Sequence, residues 1–186
     1  MDRIILASAS PRRKQLLEWA EIPFDVLPSD VDESFPEGMV ISEIPLFLAD
    51  RKAAVVLRQA KPEQIVLAAD TIVVLDQQVL GKPLDRTDAI RMLGLLSGRI
   101  HEVITGVVLV SDKKEILFSE TTGVRFHTLT LHEIEHYVDH YHPYDKAGAY
   151  AIQEWIGVTG IHSIDGDFYN VMGLPVSRVL QELKTF

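Results

Sequence analysis

The stretch ILASASPRRKQLLEWA, residues 5–20, joins a short apolar run to an amphipathic helix through a Ser-Ala-Ser-Pro turn. Ser10 and Pro11 are residue types favoured at the N-cap and in the first turn of a helix. Arg12 and Arg13 follow directly, although a helix N-terminus already carries about half a positive charge. Two arginines in this position would be repelled by that charge unless a bound anion contacts both them and the unpaired backbone N–H groups. The stretch therefore predicts a strand–turn–helix unit with an anion site at its turn.

Beyond this stretch, apolar β-branched runs alternate with amphipathic runs that follow capping residues. The predicted strands cover residues 3–7, 26–27, 65–75 with a break at Asp70 and Thr71, a hairpin over 72–80, and a second, antiparallel hairpin of 103–110 with 116–128. The predicted helices begin at Ser10, at Ser42 as the N-cap of 42–59, at 87–96, at the Thr130–Glu133 capping box of 130–140, and at 174–183. We expect one α/β domain over residues 1–186, with a mixed, twisted central sheet flanked by helices.

The composition excludes several classes of protein. The 186 residues are 47% apolar and 24% charged, as in a soluble globular domain. The net charge of −9 argues against broad binding to nucleic acid or to an anionic membrane surface. The absence of cysteine excludes disulfides and thiolate catalysis, and fits a reducing compartment. No apolar run approaches the roughly 18 residues of a membrane span, so we expect a cytoplasmic protein.

Asp70 interrupts the most strongly apolar run of the chain, between Val66-Leu67-Ala68-Ala69 and Thr71-Ile72-Val73-Val74. Burial of an unpaired charge costs several kcal/mol, so the carboxylate needs an explanation. One interpretation is a turn aspartate that bonds to its own backbone. The other is a carboxylate in a cleft that binds a metal ion or deprotonates water. The local sequence leaves both interpretations open.

Further charged residues suggest what such a cleft would bind. Lys52 lies among alanines on a helix, and Lys82 occupies a Gly-Lys-Pro turn after the first hairpin. Each lysine alone is most often a solvated surface charge, but together with Arg12 and Arg13 they indicate a phosphate site. Glu33, in an acidic loop, is a candidate metal ligand and is explained equally well as an exposed side chain.

A second candidate site lies in the segment LHEIEHYVDHYH, where His132, His136 and His140 recur at four-residue steps. This spacing places three potential metal ligands on one helix face. Because acidic residues occupy the neighbouring stripes, a solvated helix face is the favoured interpretation over a zinc site. Asp145 and Lys146, which follow this helix, are expected to belong to the framework.

The chain resembles the Maf family of nucleoside triphosphate pyrophosphatases along essentially its whole length. The motifs that carry the resemblance are SASPRR at 8–13, VDE ending at Glu33, RKA at 51–53, AADTIV at 68–73, GKP at 81–83, SGRIHEVITGV at 97–107, DKAGAYAIQ at 145–153 and NVMGLPV at 170–176. The resemblance implies a mixed α/β fold with a deep substrate cleft, similar to that of inosine triphosphatases. It also implies a homodimer that hydrolyses a nucleoside triphosphate to the monophosphate and pyrophosphate with a divalent cation, Mg²⁺ or Mn²⁺.

The same resemblance assigns roles to individual residues. The residues that it implies in triphosphate binding are Ser8, Arg12, Arg13, Lys52 and Lys82. Asp70 would be the proton acceptor, and Glu33 with Asp70 would bind the metal ion. Whether Asp70 contacts metal, water or both stays open at this point.

The family also divides by substrate, and three positions are associated with the division: Arg13, Thr71 and Gln153. These residues resemble the dTTP and UTP branch, which implies action on pyrimidine triphosphates, including modified forms. The chain departs from many members by having Glu154 and Trp155 after the glutamine, a change expected to reshape the mouth of the base pocket. Two other functions compete with the enzyme: a nucleotide-sensing regulator of septum formation that acts through a protein partner, and a metal-storage module built on the histidine helix.

Overall fold

The computed structural model describes residues 3–186, and across these residues seven strands form one mixed sheet. The strands are β1 (Ile4–Leu6), β2 (Phe24–Val26), β3 (Val66–Leu75), β4 (Gln78–Leu80), β5 (Ile100–Val110), β6 (Glu115–Phe126) and β7 (Ile161–Asp165). The helices are α1 (Pro11–Trp19), α2 (Ile44–Leu57), α3 (Arg86–Leu96), α4 (Leu131–Tyr141), α5 (Trp155–Gly160), α6 (Phe168–Met172) and α7 (Val176–Leu183). The predicted mixed α/β architecture is confirmed.

The sheet has the order β2-β1-β3-β5-β6-β7, with β4 paired to β3. β1 is parallel to both of its neighbours, β2 and β3, whereas β4 is antiparallel to β3 and β7 is antiparallel to β6. A strand between two parallel partners is covered on both faces, which explains why all three residues of β1 are buried and apolar.

Among the helices of residues 3–186, none combines the length and the apolar character needed to cross a bilayer.

The chain divides into two compact units. The first unit consists of the described residues through Thr71, together with Thr105–Glu120 and Gly173–Phe186. The second unit consists of Ile72–Ile104 and Thr121–Met172. The single domain over residues 1–186 stays a prediction.

In the first unit, helix α2 packs closely against strand β5. A Cβ atom on Gly106 would lie only 2.2 Å from the backbone nitrogen of Leu46, so this position of β5 requires glycine. The buried face of α2 includes Leu48, Ala49, Lys52, Ala53 and Val56, at the spacing of one helix face. The close contact at its first turn therefore fixes a helix that carries a lysine on its buried side.

Several local predictions are confirmed by the structure. Ser10 is the N-cap of α1, and its hydroxyl accepts a hydrogen bond from the backbone nitrogen of Arg13. Thr130 and Glu133 form the predicted capping box at the start of α4. Helix α3 ends at Leu96, as the sequence predicts, with Ser97 as its C-cap and Gly98 following at a φ of +72°.

Two predictions about element ends are wrong. Ser42 is not an N-cap, because it lies within a 3₁₀ turn, Ile41–Glu43, and α2 begins only at Ile44. The N-cap position of α2 is occupied by Glu43, one residue after Ser42. Strand β3 has no break at Asp70 and Thr71 but runs continuously from Val66 to Leu75. Asp70 does not need a turn in order to be paired, because another side chain of the folded protein supplies its partner.

Candidate active site

The partner of Asp70 is the ammonium group of Lys52. The Nζ atom of Lys52 lies 2.5 Å from Asp70 Oδ1 and 3.0 Å from Glu33 Oε1. The side chains of Lys52 and Asp70 are 10% and 12% exposed, whereas the side chain of Glu33 is 51% exposed. The interpretation of Asp70 as a turn residue is wrong, because the residue lies inside β3 and forms a buried ion pair. Such a pair is retained because either charge alone would be strongly destabilised by burial.

This arrangement fits a divalent cation. Glu33 and Asp70 each place a carboxylate oxygen against the same ammonium group, so the two carboxylates already converge on one positive charge. Mg²⁺ is commonly held by one or two carboxylates together with water and substrate phosphates. Within residues 3–186, no group of three or more histidine, cysteine, aspartate or glutamate residues could hold a metal ion. Glu33 and Asp70 are the two carboxylates of this group that could hold a divalent cation.

Arg13 is buried and makes a different set of contacts. Its Nε donates to the carbonyl of Gly173 at 2.8 Å, and its terminal nitrogens donate to Ser8 Oγ and to Thr71 Oγ1, both at 3.1 Å. Burial lowers the pKa of the Arg13 guanidinium from its usual range, and the charge of Asp70 acts in the opposite direction. The structure thus brings three of the predicted site residues, Ser8, Arg13 and Thr71, into one hydrogen-bonded group.

Thr71 connects this group to strand β5. Its hydroxyl oxygen lies 2.9 Å from Thr105 Oγ1, in addition to its contact with Arg13. Thr105 is fully buried, and sequence reasoning did not single it out. A usable signal was present, since Thr105 interrupts the apolar run of β5 much as Asp70 interrupts that of β3.

Arg12 and Lys82 lie in more accessible places. Arg12, in the first turn of α1, is half-buried, although its neighbour Arg13 is buried. Successive residues on a helix point about 100° apart, so adjacent arginines meet different surroundings. Lys82 belongs to the second unit and is exposed in the connection between β4 and α3.

Gln153, also in the second unit, is half-buried. Its side-chain oxygen is buried and has no hydrogen-bond partner within residues 3–186. An unpaired buried acceptor costs about 1–3 kcal/mol, so the amide holds hydrogen-bonding capacity that the described protein groups do not use. That capacity is the property expected of a residue that reads a polar ligand edge.

The side chains that follow Gln153 pack onto α4. The Tyr137 hydroxyl donates to Glu154 Oε2, and Lys146 Nζ lies 3.5 Å from Glu154 Oε1. The ring of Trp155 meets that of His136 edge to face, with centroids 4.8 Å apart. Glu154 and Trp155, the two bulky residues that distinguish this chain, are therefore engaged within their own unit.

The histidines of α4 interact with one another and with the backbone. The rings of His136 and His140 have centroids 4.2 Å apart, and His140 Nδ1 lies 2.7 Å from the carbonyl oxygen of His136. Within residues 3–186, these histidines are not part of any group of three or more residues that could hold a metal ion.

His101 is a buried histidine of another kind. It is 1% exposed, and its Nε2 lies 2.7 Å from the Tyr150 hydroxyl. Its ring also stacks on Phe126, with centroids 5.5 Å apart. Burial lowers the pKa of His101 to about 4, so the imidazole is neutral at pH 7. We interpret this cluster as part of the packed interior of the second unit.

Comparison with known proteins places these features in a family context. The sequence profile of a family described as Maf-like protein matches residues 3–186. A dTTP/UTP pyrophosphatase of Bacteroides fragilis is 50% identical over 184 residues, which cover 98% of this chain and 95% of that protein. A dTTP/UTP pyrophosphatase of Bacillus cytotoxicus is 48% identical over 186 residues, which cover 100% of this chain and 96% of that protein. A solved dITP/XTP pyrophosphatase of Mycobacterium abscessus is 17% identical, with a TM-score of 0.42 over 67% of this chain and 74% of that one.

Proposed function

Since the chain belongs to the Maf-like protein family, we propose that it hydrolyses dTTP and UTP to the nucleoside monophosphate and pyrophosphate. The relatives named dTTP/UTP pyrophosphatase match nearly the whole chain at about half identity, which supports the reaction and the pyrimidine preference. The observation that carries the proposal is the buried Lys52–Asp70 pair with Glu33 beside it. This group offers a carboxylate base and a cation at one place, as phosphoryl chemistry requires.

In this proposal Asp70 accepts the proton of the attacking water. The carboxylate lies within an apolar strand and its ion pair with Lys52 fixes its position, so it is placed to act as a base. Water attack breaks the bond between the α and β phosphates, and pyrophosphate leaves with the negative charge that develops on its bridging oxygen. Lys52, Arg12 and Lys82 are the cations proposed to neutralise that charge.

Glu33 and Asp70 are the residues that would hold a divalent cation, Mg²⁺ or Mn²⁺. When bound, such an ion polarises phosphate oxygens and lowers the charge that the nucleophile meets. Ser8 and Arg13 complete the proposed phosphate-binding set. Arg13 acts largely by holding Ser8 and Thr71 in place, because three of its N–H groups already donate to protein atoms.

Base selection is assigned to Gln153. Uracil and thymine present a carbonyl at position 4 beside an N3–H donor, and a glutamine amide has both an acceptor and donors to match them. The buried, unpaired oxygen of Gln153 supports this role. Modified pyrimidine triphosphates that keep the same edge are expected substrates, which corresponds to a nucleotide-pool cleaning role in the cytoplasm.

The test is a panel of UTP, dTTP, GTP and N7-methyl-GTP with Mg²⁺ or Mn²⁺, with the products separated by ion exchange. We expect equimolar monophosphate and pyrophosphate from UTP and dTTP, and slower turnover of the purine nucleotides. Diphosphate with inorganic phosphate as primary products would contradict the assigned bond. Tight binding of UTP without hydrolysis would favour a nucleotide-sensing regulator instead.

A further inference from the structure

One hydroxyl group contacts the chain on both sides of Gln153. The backbone nitrogen of Ala151 donates to the Tyr137 oxygen at 3.1 Å, and the Tyr137 hydroxyl donates to Glu154 Oε2. Tyr137 is fully buried in α4, so its ring has little freedom to move. The contacts join α4 to the residue two positions before Gln153 and to the residue directly after it.

The segment between these two contacts is also closed by its own backbone. The nitrogen of Glu154 donates to the carbonyl of Ala151 at 3.1 Å, and the nitrogen of Gly157 donates to the carbonyl of Glu154 at 2.9 Å. A Cβ atom on Gly157 would lie 1.7 Å from the carbonyl oxygen of Ile152, so this turn requires glycine. Gln153 therefore lies in a tight turn. The ends of this turn are hydrogen-bonded to each other and to Tyr137.

The carboxylate of Glu154 makes the contact with Tyr137 and does not cap the helix that follows it. Glu154 is the N-cap residue of α5, yet its side chain makes no capping hydrogen bond to that helix. It contacts Tyr137 and lies 3.5 Å from Lys146 Nζ, which is itself 2.8 Å from Asp145 Oδ1. A side chain that could stabilise the start of its own helix is instead directed back to α4.

We infer that Tyr137 and Glu154 are positioning residues for Gln153, and that they set the base selectivity of the enzyme. The inference rests on the proposed function, in which Gln153 reads the pyrimidine edge. A hydrogen bond discriminates between bases only if the amide is held in one place, because a mobile amide can turn its donor or its acceptor to either base. The Tyr137 hydroxyl supplies this restraint from both sides of the reading residue.

A purely structural role for Tyr137 makes a different prediction. As a buried core residue, Tyr137 would contribute to the stability of the second unit without affecting the choice of base. Its loss would then lower the melting temperature and leave the ratio of activities on two nucleotides unchanged. The selectivity ratio therefore separates the two roles.

The test compares Tyr137→Phe with the wild type on UTP and CTP, which have rings of one size but differ at position 4. Loss of the hydroxyl keeps the ring and removes both contacts. We expect the ratio of kcat/KM for UTP over CTP to fall by about 3- to 10-fold, the scale of one or two net hydrogen bonds. The fall should come from a higher KM for UTP, with kcat changed by less than about twofold. An unchanged ratio would overturn the inference.

Tyr141→Phe is the matched control. Tyr141 lies one turn further along α4, stacks on Tyr137 with centroids 5.0 Å apart and is 38% exposed. Its substitution removes the same atom from the same helix, and the ratio should stay at the wild-type value. If Tyr137→Phe lacks a cooperative melting transition, Glu154→Ala decides the matter. That variant should lower the ratio by about threefold, the value of one net hydrogen bond, and a wild-type ratio would again overturn the inference.

A double variant shows whether Tyr137 acts through Gln153. In a Gln153→Ala background, Tyr137→Phe should change the UTP-to-CTP ratio no further, because the residue that it positions is gone. A further fall of the same size in that background would contradict the inference. The outcomes are distinct from failure of the proposed function, which would be seen as wild-type protein that does not release pyrophosphate from UTP.

Discussion

The group around Asp70 and the turn around Gln153 use buried polar atoms in opposite ways. In the first unit, Lys52 and Asp70 form a buried ion pair with Glu33 at its exposed side. In the second unit, Gln153 is uncharged and keeps an unpaired oxygen. The charged side chains belong to the proposed catalytic group, in which charge moves during the reaction. The neutral amide belongs to the residue that is proposed to distinguish one base from another. In the proposed function, catalysis and selectivity are therefore assigned to separate side chains, and we expect that each can be altered without the other.

The largest expected effect is that of Asp70→Asn, which keeps the shape of the side chain and removes its charge and basicity. We expect kcat to fall by between roughly 10² and 10⁴, the range for a positioned acid–base group. The fall should be the same for every nucleotide, because Gln153, the residue proposed to read the base, is unchanged. Steady-state kinetics on UTP and dTTP measure the change, and near-normal turnover would remove Asp70 from the proposed mechanism.

Asp76→Asn is the control for that experiment. Asp76 lies in the turn between β3 and β4, is exposed, and pairs with Arg99 at the surface. Asparagine is accepted readily at its positive φ of 48°. The same chemical change should leave kcat within about twofold of the wild type, since exposed ion pairs contribute little.

The second unit should also contribute to the pH dependence of stability through His101. Its pKa is lowered from 6.5 to about 4 by burial, so the unfolded chain binds a proton in this range and the folded protein does not. The free energy of unfolding should therefore fall as the pH falls from 6.5 toward 4, by about 3 kcal/mol for this group. Urea unfolding of wild type and His101→Leu across this range tests the effect. Parallel pH profiles for the two proteins would show that His101 does not contribute.

Gln153→Glu tests the other side of the comparison. A carboxylate facing a pyrimidine carbonyl opposes two acceptors, at a cost of about 1–3 kcal/mol when buried. We expect kcat/KM for UTP and dTTP to fall by about 10- to 100-fold. Any gain for GTP or N7-methyl-GTP should be smaller, because Arg13 and Thr71, the other two positions that the resemblance associates with the pyrimidine branch, are unchanged. Equal losses on all four nucleotides would mean that Gln153 does not read the base.

The smallest effect is expected at Thr105, whose hydroxyl contacts that of Thr71 at 2.9 Å. Thr105→Val keeps the size of the side chain and should lower the free energy of unfolding by about 1 kcal/mol. Thr105→Ser retains a hydroxyl and should recover most of that loss. Chemical denaturation of the three proteins makes the comparison, and equal stabilities for the valine and serine variants would contradict the role given to this hydrogen bond.

The parts of the structure that depend on local chemistry were predictable from the sequence. The Ser10 cap, the capping box at Thr130 and the alternation of strands and helices follow from residue types at short spacing. The path of β3 through Asp70 did not follow, because its partner Lys52 lies 18 residues away and only folding brings the two charges together. The local sequence predicted a break in the strand at Asp70, whereas the folded protein has a continuous strand and a long-range ion pair.

Sequence reasoning named the side chains that the structure groups around Asp70 and Arg13, but it did not predict how each of them is buried. Sequence reasoning gave Arg12 and Arg13 the same role in phosphate binding, but the helix buries only Arg13, which bonds to Ser8 and Thr71. Strand β7 and helix α6 were missed, because β7 is short and largely exposed and α6 is a helix of only 5 residues. Neither presents the apolar periodicity by which elements are recognised in a sequence.

The separation of catalysis from selectivity is tested most directly by one ratio, kcat/KM for UTP over N7-methyl-GTP, in wild type, Asp70→Asn and Gln153→Glu. We expect Asp70→Asn to lower both values by the same factor and to leave the ratio at its wild-type value. We expect Gln153→Glu to lower the ratio by about tenfold or more, because only the base contact is altered. A changed ratio in Asp70→Asn, or an unchanged one in Gln153→Glu, would contradict the division between the two regions.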